Sequence, residues 1–237
     1  MAPLFEELDY SNTSMGELVL RRRSILSLKG KIVYEVKLGD AYLMSSLFHA
    51  AEDALARCAL DLLGGGKWDV AVGGLGLGYT AAAALEFKQV RHLVVIESLA
   101  PVIDWHNRNL LPASETLTGD PRCILHHADF FELARGCGFD PEAAGRRFDA
   151  ILLDIDHSPD SVLNDGHREF YTTAGIQRLL SFLKPGGVFA LWSNDPPQAG
   201  FIHMLSGVFA RAEGRVIEFE NPLQGSVSAN GIYIAVA

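Results

Sequence analysis

Cysteine is scarce in this 237-residue chain, and no two of the three cysteines form a C-x-x-C pair. Cys58, Cys123 and Cys137 therefore offer no thiolate zinc site, and their odd number fits a reducing compartment. Long apolar runs are missing too, and none approaches the length of a membrane span. Residues Met1 to Glu7 are acidic and lack the basic segment and apolar core of a signal peptide, so a cytoplasmic location is expected. Basic clusters are rare: Arg21-Arg22-Arg23 is the only run, and the net charge is -9. That balance argues against a nucleic-acid backbone as main partner, which would need clustered Lys and Arg. On a strand the three arginines would alternate faces and read as a solvated edge that discourages aggregation. An acidic surface suits a cationic substrate, and it also serves plain solubility.

What is present fits a compact enzyme. At 49% hydrophobic and 21% charged residues, the chain can bury a sizeable core, as one α/β domain or one with a small appendage. Residues 1–46 differ from the rest. Strand-like stretches at 16–22 and 31–37, and a turn at Leu38-Gly39-Asp40 leading into 41–44, predict a small antiparallel β-domain. Helical spacing runs from Leu47 to Leu63 and stops at Gly64-Gly65-Gly66. In 47–237 strands and helices then alternate. Strands are expected at 69–73, 92–97, 122–126, 148–154, 187–193, 214–220 and 231–236, with helices at 79–87, 100–110, 168–183 and 198–211. Such alternation predicts a parallel, Rossmann-like sheet with helices on both faces and ligands beyond the carboxyl ends of its strands.

The densest signal is Val70-Ala71-Val72-Gly73-Gly74-Leu75-Gly76-Leu77-Gly78-Tyr79-Thr80, followed by Leu93-Val94-Val95-Ile96-Glu97. A strand runs into a glycine turn, then a helix, then a second strand ending in an acid. Gly73, Gly74, Gly76 and Gly78 permit positive φ and let a ligand approach the backbone, although such turns also use glycine for packing. A helix starting near Tyr79 aims free N–H groups into the turn. Glu97 follows at roughly the 20-residue spacing where nucleotide-binding βαβ units place a carboxylate on ribose hydroxyls. The unit is expected to hold a nucleoside.

Asp129 ends the third strand, where a carboxylate can accept from an adenine amino group while Phe130 or Phe131 supplies an apolar wall. It also suits the N-cap of a helix at 130–135, and the two roles are compatible. Phe148 to Pro159 delivers Asp154, Asp156 and His157 to the open end of the sheet. Asp154 could orient and deprotonate an amine nucleophile. Asp156, two residues on, falls on the same side of an extended chain. It can instead shape the turn before Pro159, and His157 can share proton work or bond the loop. With no third clear acid, no metal is expected. His126-His127 alternates across a strand and reads as structural. Trp192 to Pro197 is a loop suited to line a pocket, and Phe170 or Tyr171 could pack against a substrate chain.

Taken in order, these motifs resemble the spermidine synthase family, the polyamine aminopropyltransferases, which have a class I methyltransferase-type fold preceded by a small β-domain. The likeness runs from about Gly16 to the C-terminus. The family's G-G-G-D-G-G motif is similar to Gly73 through Gly78, its ribose-binding acid to Glu97, and its adenine-binding Asp to Asp129. Its catalytic D-S-S-D-P is similar to Asp154 through Pro159, with the proposed base at Asp154. Phe170-Tyr171 resembles the paired aromatics that follow. The resemblance implies a transferase acting on S-adenosylmethionine or its decarboxylated form, with a small amine as acceptor and a homodimer as assembly. An ordinary small-molecule methyltransferase and a silent nucleoside-binding protein are the alternatives. Several positions depart from the family. Gly76 replaces the Asp of the glycine motif, His157 the second Asp of D-S-S-D-P, Lys29 the acid of L-D-G, and Met44-Ser45-Ser46 the Y-H-E cluster. The nucleoside half is kept and the diamine half is rewritten, so poor use of putrescine is expected.

Overall fold

The computed structural model describes residues 4–237, so the first three residues of the acidic N-terminal segment lie outside it. β1 (Phe5–Thr13), β2 (Gly16–Ile25), β3 (Lys31–Leu38) and β4 (Ala41–Ser45) form a four-stranded antiparallel sheet in that order. α1 (Ala50–Leu60), β5 (Trp68–Gly73), α2 (Tyr79–Leu85), β6 (Val90–Glu97) and α3 (Ala100–Asn107) follow. Next come α4 (Ser114–Gly119), β7 (Cys123–His127), α5 (Phe130–Arg135), β8 (Phe148–Leu153) and α6 (Thr173–Leu180). β9 (Leu183–Ser193), α7 (Ala199–Ser206), β10 (Arg211–Asn221) and β11 (Ser226–Val236) close the chain.

Seven strands form the central sheet, in the order β10-β11-β9-β8-β5-β6-β7. The pairs among β9, β8, β5, β6 and β7 are parallel, and β11 is antiparallel to both β9 and β10. This is the class I methyltransferase-type α/β fold. The expected parallel order holds over β9, β8, β5, β6 and β7, and β10 and β11 add a hairpin that reverses one strand. Helices cover both faces. Residues of α1 to α4 pack with Val70 and Val72, and residues of α5 to α7 with Ala71. Alternate residues of β5 thus face two cores, which explains its unbroken apolar run.

The chain goes from β5 outward to β7, then crosses back to β8 and outward to β9. The reversal between β5 and β8 opens a crevice beyond their carboxyl ends. The N-terminal sheet docks beside it through Asp9, which accepts hydrogen bonds from Trp105 Nε1 (2.7 Å) and Arg108 (3.1 Å).

Several element boundaries differ from the sequence reading. β1 carries Glu6, Glu7 and Asp9, poor strand formers, and is held as a strand by pairing with β2. β2 consequently lies inside its sheet, not at an edge. Arg21 and Arg23 sit on one face and each reaches Glu35 at 2.8 Å, so the arginine run is an ion-pair ladder between strands. α4 was not expected. α6 begins at Thr173, where the Thr172 hydroxyl accepts from Gly175 N, and the segment before it holds only a 3₁₀ turn at Asp165–His167.

Candidate active site

A cavity of about 670 Å³ opens at the β5/β8 crevice, within the usual size of a small-molecule site. The glycine turn forms its floor, but its glycines do different work. A Cβ on Gly73 would strike Phe130 and Leu153, one on Gly74 the carbonyl of Asp154, and one on Gly78 Leu117, Ala113 and His106. These three serve close packing of protein on protein. Only at Gly76 does the added carbon meet a flexible neighbour, Met44 Sδ at 3.1 Å, beside the cavity. Gly74, Gly76 and Gly78 line the cavity and Gly73 does not, so at Gly74 and Gly78 close packing accompanies exposure to the site.

Two buried side chains hold this turn. His106 Nε2–H donates to the carbonyl of Gly76 (3.0 Å), while its Nδ1 faces the Ser114 hydroxyl (3.3 Å). Burial holds the His106 pKa below its ordinary value, which suits the neutral ring this network needs. Glu97, 9% exposed, accepts from the amides of Leu75 (3.1 Å) and Leu99 (2.8 Å). Burial pushes its carboxyl above the usual range, against the pull of those amides and of Gly76 and Ser98. Glu97 lines the cavity at the end of β6.

At the end of β7, Asp129 Oδ1 caps α5 by accepting from Phe131 N (2.7 Å) and Glu132 N (3.0 Å), and the residue also lines the cavity. Phe130 borders the cavity but is 1% exposed and stacks on Phe139 at 4.6 Å, so it is chiefly a core residue. Phe131 stacks on His167 at 3.8 Å.

Asp154 lies at the end of β8, with its amide on the Gly73 carbonyl (2.8 Å) and Oδ2 accepting from the Thr80 hydroxyl (2.8 Å). It lines the cavity, and burial raises its pKa to about 6, partly offset by the Thr80 hydrogen bond. A second carboxylate shares this wall. Glu52, in the first turn of α1, is raised to about 8 by burial and then by the negative charge of Asp154. Two such acids titrate as a pair. Glu52 escaped the sequence reading because an acid in a helix's first turn is already favoured by the helix dipole. Its only signal was its place on the α1 flank that faces α2.

Asp156 and Asp154 do not share a surface. Asp156 is 1% exposed and accepts from Leu163 N (2.7 Å), Tyr171 OH (2.8 Å) and His167 Nδ1 (2.9 Å). The chain turns after Asp154, so two-residue alternation no longer applies. His157 lines the cavity, and its carbonyl accepts from Asn194 N. Phe170, 4% exposed, lies in the core, and Tyr171 is committed to Asp156, so neither lines the cavity. Of the Trp192 to Pro197 loop, Trp192 and Asn194 line it.

The cavity wall carries four carboxylates, Glu52, Glu97, Asp129 and Asp154, and no Lys or Arg among the described residues. No cluster of three or more His, Cys, Asp or Glu is placed to hold a metal ion among them either. No described helix is long and apolar enough to cross a membrane.

No protein-family model matches the chain. It is 28% identical over 158 residues, 67% of its length, to a polyamine aminopropyltransferase of Prochlorococcus marinus. That match spans half the length of the relative. In fold it is similar to spermidine synthase from Thermotoga maritima, with a TM-score of 0.73 and 19% identity over 97% of this chain and 72% of that one. It is also similar to a spermidine synthase solved with the transition state analogue AdoDATO, with a TM-score of 0.74, 18% identity and coverage of 97% and 73%. The chain thus resembles the polyamine aminopropyltransferases in sequence and the spermidine synthases in fold.

Proposed function

We propose that the protein is a transferase that moves an aminopropyl group from decarboxylated S-adenosylmethionine to a small amine. The observation that carries this reading is the acidic character of the cavity wall, which holds four carboxyl groups and, among the described residues, no Lys or Arg. A sulfonium donor and an amine acceptor are both cationic, and such a wall attracts both. Intact S-adenosylmethionine carries a carboxylate that no side-chain cation here would meet. Methyl transfer is the weaker reading for that reason.

In this proposal Glu97 and Asp129 bind ribose and adenine, and the Gly73–Gly78 turn receives the sulfonium side. The amine nitrogen attacks the carbon next to sulfur, and the C–S bond breaks with its electrons passing to sulfur, releasing methylthioadenosine. Before the attack the bound ammonium gives a proton to Asp154, with Glu52 alongside, which frees the nitrogen lone pair, and the product leaves as a secondary ammonium. Because the sulfonium already leaves well, alignment and proton removal are what the protein supplies. Asp156 is a positioning residue that holds the 156–171 loop. The reading includes a cytoplasmic homodimer built on the N-terminal sheet, where Phe5, Tyr10 and Tyr42 are exposed.

Mass spectrometry of the protein with each sulfonium donor and a panel of amines tests the reading. Methylthioadenosine from the decarboxylated donor is expected. Release of S-adenosylhomocysteine instead assigns methyl transfer, and failure of calorimetry to detect either donor or methylthioadenosine removes the nucleoside site altogether.

A further inference from the structure

The strand order lays the cavity out in sequence across the sheet. Asp129 follows β7, Glu97 ends β6, the glycine turn follows β5, Asp154 follows β8, Trp192 is the last residue but one of β9, and then come β11 and β10. On the proposed function, β5 to β7 take the nucleoside. The acceptor is left with the side running from Asp154 to the β10–β11 hairpin. β8 and β11 are two strand spacings apart, about 10 Å at the usual separation.

The two ends of that side differ in charge. At the Asp154 end, Oδ2 of Asp154 accepts from the Thr80 hydroxyl (2.8 Å), the backbone carbonyl of Glu52 lies 3.4 Å from that hydroxyl, and Glu52 and Asp154 both line the cavity. Two carboxylates sharing a confined wall do not both ionise readily, so the pair holding one proton matches one ammonium. The hairpin end has no carboxylate, Lys or Arg in its lining, and its titratable neighbour is His157, whose carbonyl accepts from Asn194 N. Phe48 and Phe219 stand 5.5 Å apart, Trp192 also lines the cavity, and Asn194, Ser228 and Asn230 supply the polarity. Asn221 is spent on its own turn, donating to Ser228 Oγ (3.0 Å) and accepting from Leu223 N and Gln224 N. Neither Glu218 nor Glu220, the acids of the hairpin nearest the cavity, lines it.

Resting on the proposed function, we infer that the acceptor is a primary amine with a single cationic group, whose tail is uncharged and part apolar, part amide-like. A second ammonium placed against the hairpin would give up its water for neutral amides and ring faces. Cation–π attraction recovers only part of that loss. An amide or aromatic tail would meet the same wall with little desolvation cost and would gain contact with Phe48, Trp192 and Phe219.

The test compares 1,4-diaminobutane with its mono-N-acetyl derivative, which presents the same nucleophile with a neutral amide tail. With the decarboxylated donor, kcat/KM for the acetyl derivative is expected to exceed that for the diamine by about tenfold or more, the factor worth one well-made interaction. Equal or better use of the diamine overturns the inference while leaving aminopropyl transfer intact. Should neither amine release methylthioadenosine, aminopropyl transfer is in trouble, and binding decides the inference. In the presence of methylthioadenosine, calorimetry should then show the acetyl derivative binding about tenfold more tightly, and the reverse order overturns it. Ser228→Asp puts a carboxylate in the hairpin wall and still accepts from Asn221. It should shift the preference toward the diamine by about tenfold, and an unchanged preference counts against the neutral-wall argument.

Discussion

The Thr80 hydroxyl donates a 2.8 Å hydrogen bond to Oδ2 of Asp154, tying the first turn of α2 to the end of β8. The same oxygen lies 3.4 Å from the backbone carbonyl of Glu52 in α1. Three elements distant in the chain therefore converge on one small acidic wall. Burial raises the pKa of both carboxyl groups there, and the charge of Asp154 raises that of Glu52 further.

The Glu52 pair makes stability depend on pH. A folded-state acid with a raised pKa keeps a proton that the unfolded chain has released, so the fold loses stability as pH rises from about 4.5 to about 8. Glu52→Gln removes this loss. Its Tm should match the wild type near pH 5 and exceed it by several degrees near pH 8. Thermal denaturation across that range checks this, and a Tm difference independent of pH would contradict the coupling.

Asp154→Asn keeps the shape of the side chain and its bond to Thr80 but removes the proposed base. Turnover should fall by about 10²–10⁴-fold, the usual loss for general-base removal. Nucleoside affinity should change little by calorimetry, because Glu97 and Asp129 are the proposed anchors. Unchanged turnover would leave Asp154 a loop-shaping residue.

Asp156→Ala leaves Leu163 N, Tyr171 OH and His167 without their shared acceptor. Stability should fall by about 3 kcal/mol, as expected for a buried charged acceptor lost. The KM for the donor should rise as the 156–171 loop loosens, with kcat at saturation largely kept. A large fall in kcat at unchanged Tm would return Asp156 to the chemistry.

Gly74 and Gly76 should respond differently to alanine. Both have positive φ, +93° and +48°, so each substitution carries a left-handed penalty of about 1–2 kcal/mol. At Gly74 the new carbon also meets the backbone of Asp154, which cannot move without disturbing β8. Gly74→Ala should fail to fold or lose nucleoside binding. Gly76→Ala meets the thioether of Met44 and should remain folded and bind nucleoside, as circular dichroism and calorimetry would show. Equal tolerance at both positions would contradict the packing role of Gly74.

Periodicity and motif order in the sequence determined the alternating β/α plan, the glycine turn and the acids at 97, 129 and 154, because each is a local pattern of side-chain type against strand or helix period. The order of the motifs resembles the spermidine synthase family, and the similarity to a polyamine aminopropyltransferase in sequence and to spermidine synthases in fold agrees with that resemblance. What the sequence could not determine was decided by pairings between distant segments. β1 is a strand because β2 sits beside it, Arg21 and Arg23 are ion-paired because β3 brings Glu35 to them, and β11 runs backwards because it closes a hairpin. Asp156 looked like a partner of Asp154 until the chain turned and gave it to Tyr171 and His167. Glu52 was not singled out in the sequence, and the packing of α1 brought it under the influence of Asp154. A carboxylate's protonation is set by which charges and how little water surround it, and only the folded chain brings those neighbours together.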